Sequence, residues 1–244
     1  MSLESFFDKI FVINLDRRTD RWQACLEEFA CYKITKFERF RGYPHPTNGH
    51  QGCTRSHREL LRKLAVGPWE RVLVLEDDFH VLTLKDLQDG GFIPESDVMK
   101  TFLSAPGGLH RRFDYMVQFV PADWDVLYLG GGYGGPPITR VHRHVVRCGA
   151  MMTTSSYGIT KQFAQIWTEG VDAMVRQQAE AAGTDLLESH PGPIDLTFSR
   201  FAAERQFYVF QPRLMIQRPS FSDLTERDEH YLMSMTDPNH EQMV

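Results

Sequence analysis

A chain of 244 residues is long enough for one large domain with a sizeable core. With 42% hydrophobic and 24% charged residues, it is globular in composition and not a disordered chain. A net charge of −5 argues against broad binding to nucleic acid, although arginines cluster at Arg17, Arg18 and Arg21, and basic residues at Arg140, His142, Arg143, His144 and Arg147.

The N-terminal segment MSLESFFDKI lacks the basic start and apolar core of a signal peptide. Lys9–Leu15 (KIFVINL) is a short, β-branched apolar run and reads as a buried strand. From Arg18 to Ala30, Trp22, Cys25, Leu26 and Phe29 recur at helical spacing, so a helix follows, with Trp22 and Phe29 on its core face. Phe37–Gly42 suggests a second strand, and YPHPTNGHQG (43–52) reads as a loop. Ser56–Leu64 is helical in pattern and stops at Gly67-Pro68, and Arg71–Leu75 is the next buried strand.

Between Leu84 and Pro121 the pattern supports helices around Asp97–Leu103 and Arg111–Phe119. Trp124–Leu129 is a strand closed by Gly130-Gly131-Gly132, and Ile138–Arg147 suggests a hairpin arm. A strand over Met152–Thr160, a long helix over Gln162–Ala181, a helix starting near Asp195 and a strand-like stretch over Gln206–Ile216 complete the chain. Alternating strands and helices with buried strands predict α/β with a mostly parallel sheet. No repeat, low-complexity segment or linker divides residues 1–244, so one domain is expected, with a core of about 9–224 and a tail at 225–244. No apolar run is long enough to span a membrane. Cys25, Cys31, Cys53 and Cys148 include no CxxC pair; together with the missing signal peptide they predict reduced thiols in the cytoplasm.

Two acidic motifs compete for chemistry. Glu76-Asp77-Asp78 follows the strand VLVL, whereas Asp123-Trp124-Asp125, the literal DxD, precedes one. Ligands of open α/β sheets bind at the carboxyl ends of strands. Residues 76–78 therefore belong to the functional edge, and Asp123 and Asp125 read as turn residues at the opposite edge. Strand alternation would send Glu76 and Asp78 to one side and Asp77 to the other. Paired carboxylates suit a hard divalent cation completed by substrate phosphates. No GxxxxGK[ST] or GxGxxG accompanies the first strand, which disfavours P-loop ATPases and Rossmann dehydrogenases. Carboxylates at one strand end and arginines near another point to metal-dependent transfer from a nucleotide-activated donor.

Several fragments together resemble glycosyltransferase family 25, which includes lipopolysaccharide glycosyltransferases and the galactosyltransferase domains of procollagen enzymes. They are VINLDRRTDRW (12–22), GCTRSH (52–57), VLVLEDD (72–78), WDVLYLGG (124–131), SSYGIT (155–160), GPIDLTFSR (192–200) and RLMIQRPSFSDL (213–224). The resemblance spans about residues 9–224. It implies a GT-A fold, a UDP-sugar donor carrying galactose or glucose, Mn²⁺ (or Mg²⁺) dependence and inversion at the anomeric carbon. The acceptor would be a glycan, a lipopolysaccharide or a protein hydroxyl.

By the same resemblance, Asn14, Leu15 and Arg17 lie by the nucleotide. Glu76, Asp77 and Asp78 fill the DxD role, with Asp78 the first choice as metal ligand. The Tyr of SYGIT matches the family pattern but its small neighbour does not, and SDL stands where SDI is commoner. His57 would contact the donor phosphate or shape the metal site, the alternative being a structural hydrogen bond at a helix start. Gly52 would permit a turn before that helix, with Thr54 or Ser56 as its cap and its N-terminus facing an anion. Arg17 is the better phosphate candidate, and Arg21 reads as a surface arginine. Inverting transfer needs a base, for which Asp195 is the candidate; it would otherwise be a first-turn aspartate. Asp223 would add a metal or donor contact, or cap a loop. The alternatives are a nucleotidyl- or phosphotransferase on a similar sheet, or an inactive homologue that binds nucleotide or glycan.

Overall fold

The apolar run before Asn14 forms strand β1 (Lys9–Asn14), buried at every residue but the first. The chain is represented by a computed structural model that describes residues 2–89, 100, 103, 108–135, 139–183 and 191–218, and the backbone of 220–222 and 227–229. A short helix α1 (Leu3–Phe6) precedes β1. Helix α2 (Thr19–Tyr32), β2 (Phe37–Arg41), helix α3 (Gly49–Val66) and β3 (Arg71–Glu76) follow. Then come β4 (Phe79–Val81), α4 (Leu84–Asp89), α5 (Gly108–Val117), β5 (Val126–Tyr128), β6 (Gly132–Tyr133) and the hairpin β7 (Thr139–His142) and β8 (Val145–Arg147). The last elements are β9 (Met151–Met152), β10 (Ser156–Thr160), α6 (Lys161–Ala182), α7 (Ile194–Ser199), β11 (Phe207–Phe210), β12 (Met215–Gln217), β13 (Ser220–Ser222) and β14 (Arg227–Glu229).

Eight strands make one sheet in the order β2-β1-β3-β10-β5-β11-β8-β7. The pairs β1–β2, β1–β3 and β5–β11 are parallel; β10 and β8 pair antiparallel with their neighbours and so run against the other six. Residues alternate between the two faces. Ile10, Val12, Leu73 and Leu75 pack with Phe29 of α2 and with Leu109 and Phe113 of α5. Phe11, Val72, Val74 and Tyr157 pack with Leu60 and Leu64 of α3, Trp167 of α6 and Phe198 of α7. Helices on both faces of a mostly parallel sheet make the expected α/β class. Burying each such large side chain stabilises the fold by roughly 1.5–3 kcal/mol.

Several boundaries differ from expectation. Helix α3 starts at Gly49, not Ser56, because Asn48 caps it and accepts the Gln51 amide. The strand expected over 152–160 breaks at Thr153, whose φ of 69° no pleated strand accommodates. Gln206–Ile216 divides into β11 and β12, separated by a turn with a cis Gln211–Pro212 bond. Most of the helix expected at Asp97–Leu103 lies outside the described residues. Among the described residues, no helix is long and apolar enough to cross a membrane, and all four cysteines are free thiols.

Candidate functional site

The parallel strands β1 and β3 end at the same edge, and β12 reaches it through its pairing with β4. There the carboxyl ends of β1 and β3, the loop 43–48, the N-terminal half of α3 and Gln217 enclose a cleft of about 940 Å³. Leu15, Arg17, Gly52, Ser56, His57, Glu76, Asp77 and Asp78 all line it. Residues far apart in sequence therefore converge at the edge that strand direction selects.

The three acids have different surroundings. Glu76 ends β3 and faces α3: its Oε1 accepts the Thr154 hydroxyl at 2.7 Å and His57 Nε2 at 3.2 Å. Burial would push its carboxyl up, but the His57 and Thr154 hydrogen bonds outweigh burial and hold it below the usual value. An ionised carboxylate only accepts, so His57 Nε2 carries a proton, and in a neutral ring Nδ1 accepts the Tyr157 hydroxyl at 2.9 Å. His57 is fully buried and makes the structural hydrogen bonds foreseen as its alternative role, though its edge also reaches the cleft.

Asp77 faces α2. Its Oδ2 accepts the Asn14 amide at 2.7 Å and its Oδ1 accepts Arg21 at 2.9 Å, so both oxygens are engaged. Asp78 shares that guanidinium, with Oδ2 at 3.0 Å from Arg21 Nη1 and 2.9 Å from Gln217 Nε2. The predicted alternation fails here because β3 ends at Glu76, and a turn into β4 brings Asp77 and Asp78 to one arginine. Asp78 Oδ1 is buried and has no hydrogen-bond partner among the described residues. Burial, reinforced by the Glu76 charge, raises the Asp78 carboxyl to about 7 despite Arg21. A buried acceptor without a donor, in a run of three carboxylates of which two share one arginine, fits a hard cation.

Other expected residues take different positions. Asn14 does not line the cleft; its amide nitrogen donates to Arg18 O and Asp77, and its oxygen accepts Arg39 Nε. Gly52 lies inside α3, not in a turn before it, because the helix already starts at the Asn48 cap; a Cβ at Gly52 would sit 2.7 Å from Tyr43 O. The bare glycine lets the cleft loop lie against the helix. Ser56 fixes the same loop by accepting the Tyr43 amide at 2.8 Å, and Thr54 donates to Gly192 O, so neither caps the helix. The N-terminus of α3, at Asn48 and Gly49, does line the cleft.

Asp195 falls in the first turn of α7, outside the cleft lining. Its Oδ1 accepts the Leu196 amide, and its Oδ2 lies 3.4 Å from the Thr153 amide. The adjacent residues Thr153 and Thr154 thus reach two carboxylates, Asp195 and Glu76. Asp223 lies outside the described residues. Asp125, at the opposite end of β5 from Gly130, accepts the Gln206 amide at 2.9 Å, and Asp123 is exposed in the preceding turn.

Three residues of this site are hard to find from sequence. Arg21 looks like a surface residue on an amphipathic helix, yet it is the cation between Asp77 and Asp78. Gln217 and Thr154 arrive through long-range contacts that no local pattern reports, and β10 carries Tyr157, which the family resemblance picks out, to His57.

The fold and cleft define an α/β protein with an acidic site at the carboxyl end of its sheet. No family model matches the chain. An alignment of 152 positions, covering 51% of this chain and 21% of the relative's length, is 28% identical to procollagen galactosyltransferase 1 of Danio rerio. Among solved structures, the mannose-1-phosphate geranyltransferase from Thermus thermophilus aligns over 86% of this chain and 74% of its own, with a TM-score of 0.42 and 12% identity. A glycosyltransferase involved in glycosylation of the major capsid of PBCV-1 aligns over 88% of this chain and 94% of its own, with a TM-score of 0.40 and 13% identity.

Proposed function

We propose that the protein is a metal-dependent, inverting glycosyltransferase that transfers a hexose, galactose or glucose, from a UDP-sugar to a hydroxyl of a glycan, lipopolysaccharide or protein. The unpartnered, buried Asp78 Oδ1 on the cleft carries this reading, because it supplies an oxygen ligand where a diphosphate can approach. The sequence similarity to a procollagen galactosyltransferase supports the reaction class.

In this reading Asp78, with Glu76 beside it, holds Mn²⁺ or Mg²⁺. When bound, the ion neutralises the donor diphosphate and stabilises charge on departing UDP. Arg21 and Gln217 fix the Asp78 carboxylate, and His57 and Thr154 fix that of Glu76. Arg17 and the N-terminus of α3 attract the phosphates, and Leu15 lies against the nucleoside. Asp195 takes the acceptor hydroxyl's proton as the oxygen attacks the anomeric carbon. The cytoplasm is the compartment proposed for it, on the cysteine spacing in the sequence.

A thermal-shift screen of UDP, UDP-galactose and UDP-glucose with and without Mn²⁺ tests the proposal. Mn²⁺-dependent stabilisation is expected, and none with any UDP ligand would count decisively against it. Product analysis should show UDP and not pyrophosphate, which separates glycosyl from nucleotidyl transfer. Asp195→Asn should lower transfer by at least about 100-fold while leaving UDP affinity within twofold, because general-base catalysis typically contributes 10²–10⁴-fold.

A further inference from the structure

We propose that Cys53, His57 and Glu76 form a second cation site, selective for zinc-like ions over Mg²⁺, which shares the Glu76 carboxylate with the all-oxygen position at Asp78 and differs from it by its thiol and imidazole ligands. Helix α3 places Cys53 and His57 one turn apart on the same face. Glu76 meets them from the end of β3, so that one ligand atom from each residue lies within 4.8 Å of the other two. All three residues line the cleft.

The set is one thiol, one imidazole and one carboxylate, with cleft space for a fourth ligand. Zinc favours this composition at sites that keep one position open, whereas Mg²⁺ and Mn²⁺ favour oxygen. The supporting contacts match as well. His57 Nδ1 lies 2.9 Å from the Tyr157 hydroxyl, whose oxygen can accept the proton that a ligating imidazole carries on its far nitrogen. Thr154 holds the Glu76 carboxylate at 2.7 Å.

Without metal, the His57 Nε2 proton bridges to Glu76. On binding, that proton moves to Nδ1 and points at the Tyr157 oxygen. Cys53 releases its thiol proton to solvent, so one proton leaves per ion bound. Glu76 exchanges the imidazole proton for the ion without changing its own protonation.

Titration of the full chain with Co²⁺, in the absence of nucleotide sugar, tests the site. Thiolate-to-cobalt charge-transfer absorption should saturate at one equivalent. It should persist in Cys31→Ser, which removes the exposed thiol, and vanish in Cys53→Ser. Tyr157→Phe should keep the band but weaken Co²⁺ binding by about tenfold or more. Zn²⁺ should bleach the band and excess Mg²⁺ should not. In the unmodified chain, Zn²⁺ should protect Cys53 from alkylation, read by peptide mass, which requires no variant to fold. Absence of the band in the wild type, its survival in Cys53→Ser, bleaching by Mg²⁺ or unprotected Cys53 would each overturn the proposal. The readout needs no UDP-sugar, so it stands or falls apart from the glycosyltransferase reading.

Discussion

The chain has two acidic motifs at opposite ends of neighbouring regions of one sheet. At 123–125, Asp125 accepts the Gln206 amide and ties β11 to β5, and Asp123 faces solvent. At 76–78, Glu76 is held from α3, Asp77 is enclosed by Asn14 and Arg21, and Asp78 keeps one buried oxygen without a donor. Residue type and spacing favour the first motif as a metal binder; strand direction and unmet hydrogen bonding favour the second. A carboxylate whose oxygens the fold has already satisfied is structural, and one left unsatisfied in a cleft awaits a ligand.

The sharpest contrast is in turnover. Asp78→Asn should lower Mn²⁺-dependent UDP-sugar hydrolysis or transfer by at least about 100-fold, consistent with loss of a charged oxygen ligand. Asp123→Asn should leave it within twofold, and full activity in Asp78→Asn would sink the assignment. Next comes Arg21→Met, which strands two buried carboxylates and should cost about 3 kcal/mol in urea unfolding. A loss below about 1 kcal/mol would mean that another cation does this work.

Asp125→Ala should cost about 1–3 kcal/mol by orphaning the Gln206 amide, yet leave the specific activity of the folded fraction unchanged. The smallest effect concerns His80, two residues past Asp78. Burial alone would push it down, but Asp86 and Glu28 outweigh burial and hold its pKa near 9. A raised histidine contributes stability that is fully present below its unfolded pKa of about 6.5 and is lost as pH rises towards about 9. Unfolding free energy should therefore fall across that window, and His80→Gln should flatten the fall.

Much of the sheet was legible because buried strands are short, apolar and ended by polar residues. Lys9–Leu15 and Arg71–Leu75 match β1 and β3 to within a residue, and the direction of β3 put Glu76 at the right edge. The start of α3 was hidden because Gly49, His50 and Gly52 follow a proline-rich loop and depress helix propensity, while their reason for being helical lies in the Asn48 cap and the Tyr43 contact. The Thr153 break was hidden because β-branched residues ordinarily signal strand. Arg21 carries no local sign of its role, since helical periodicity places a residue on a face but does not report a turn folding back towards it.

Calorimetric titration of UDP in the presence and absence of Mn²⁺, on the wild type, Asp78→Asn and Asp123→Asn, tests the placement of the site most directly. Mn²⁺-dependent UDP binding should be present in the wild type, retained in Asp123→Asn and lost in Asp78→Asn. Binding retained in Asp78→Asn and lost in Asp123→Asn would place the metal at the other end of the sheet and contradict the assignment.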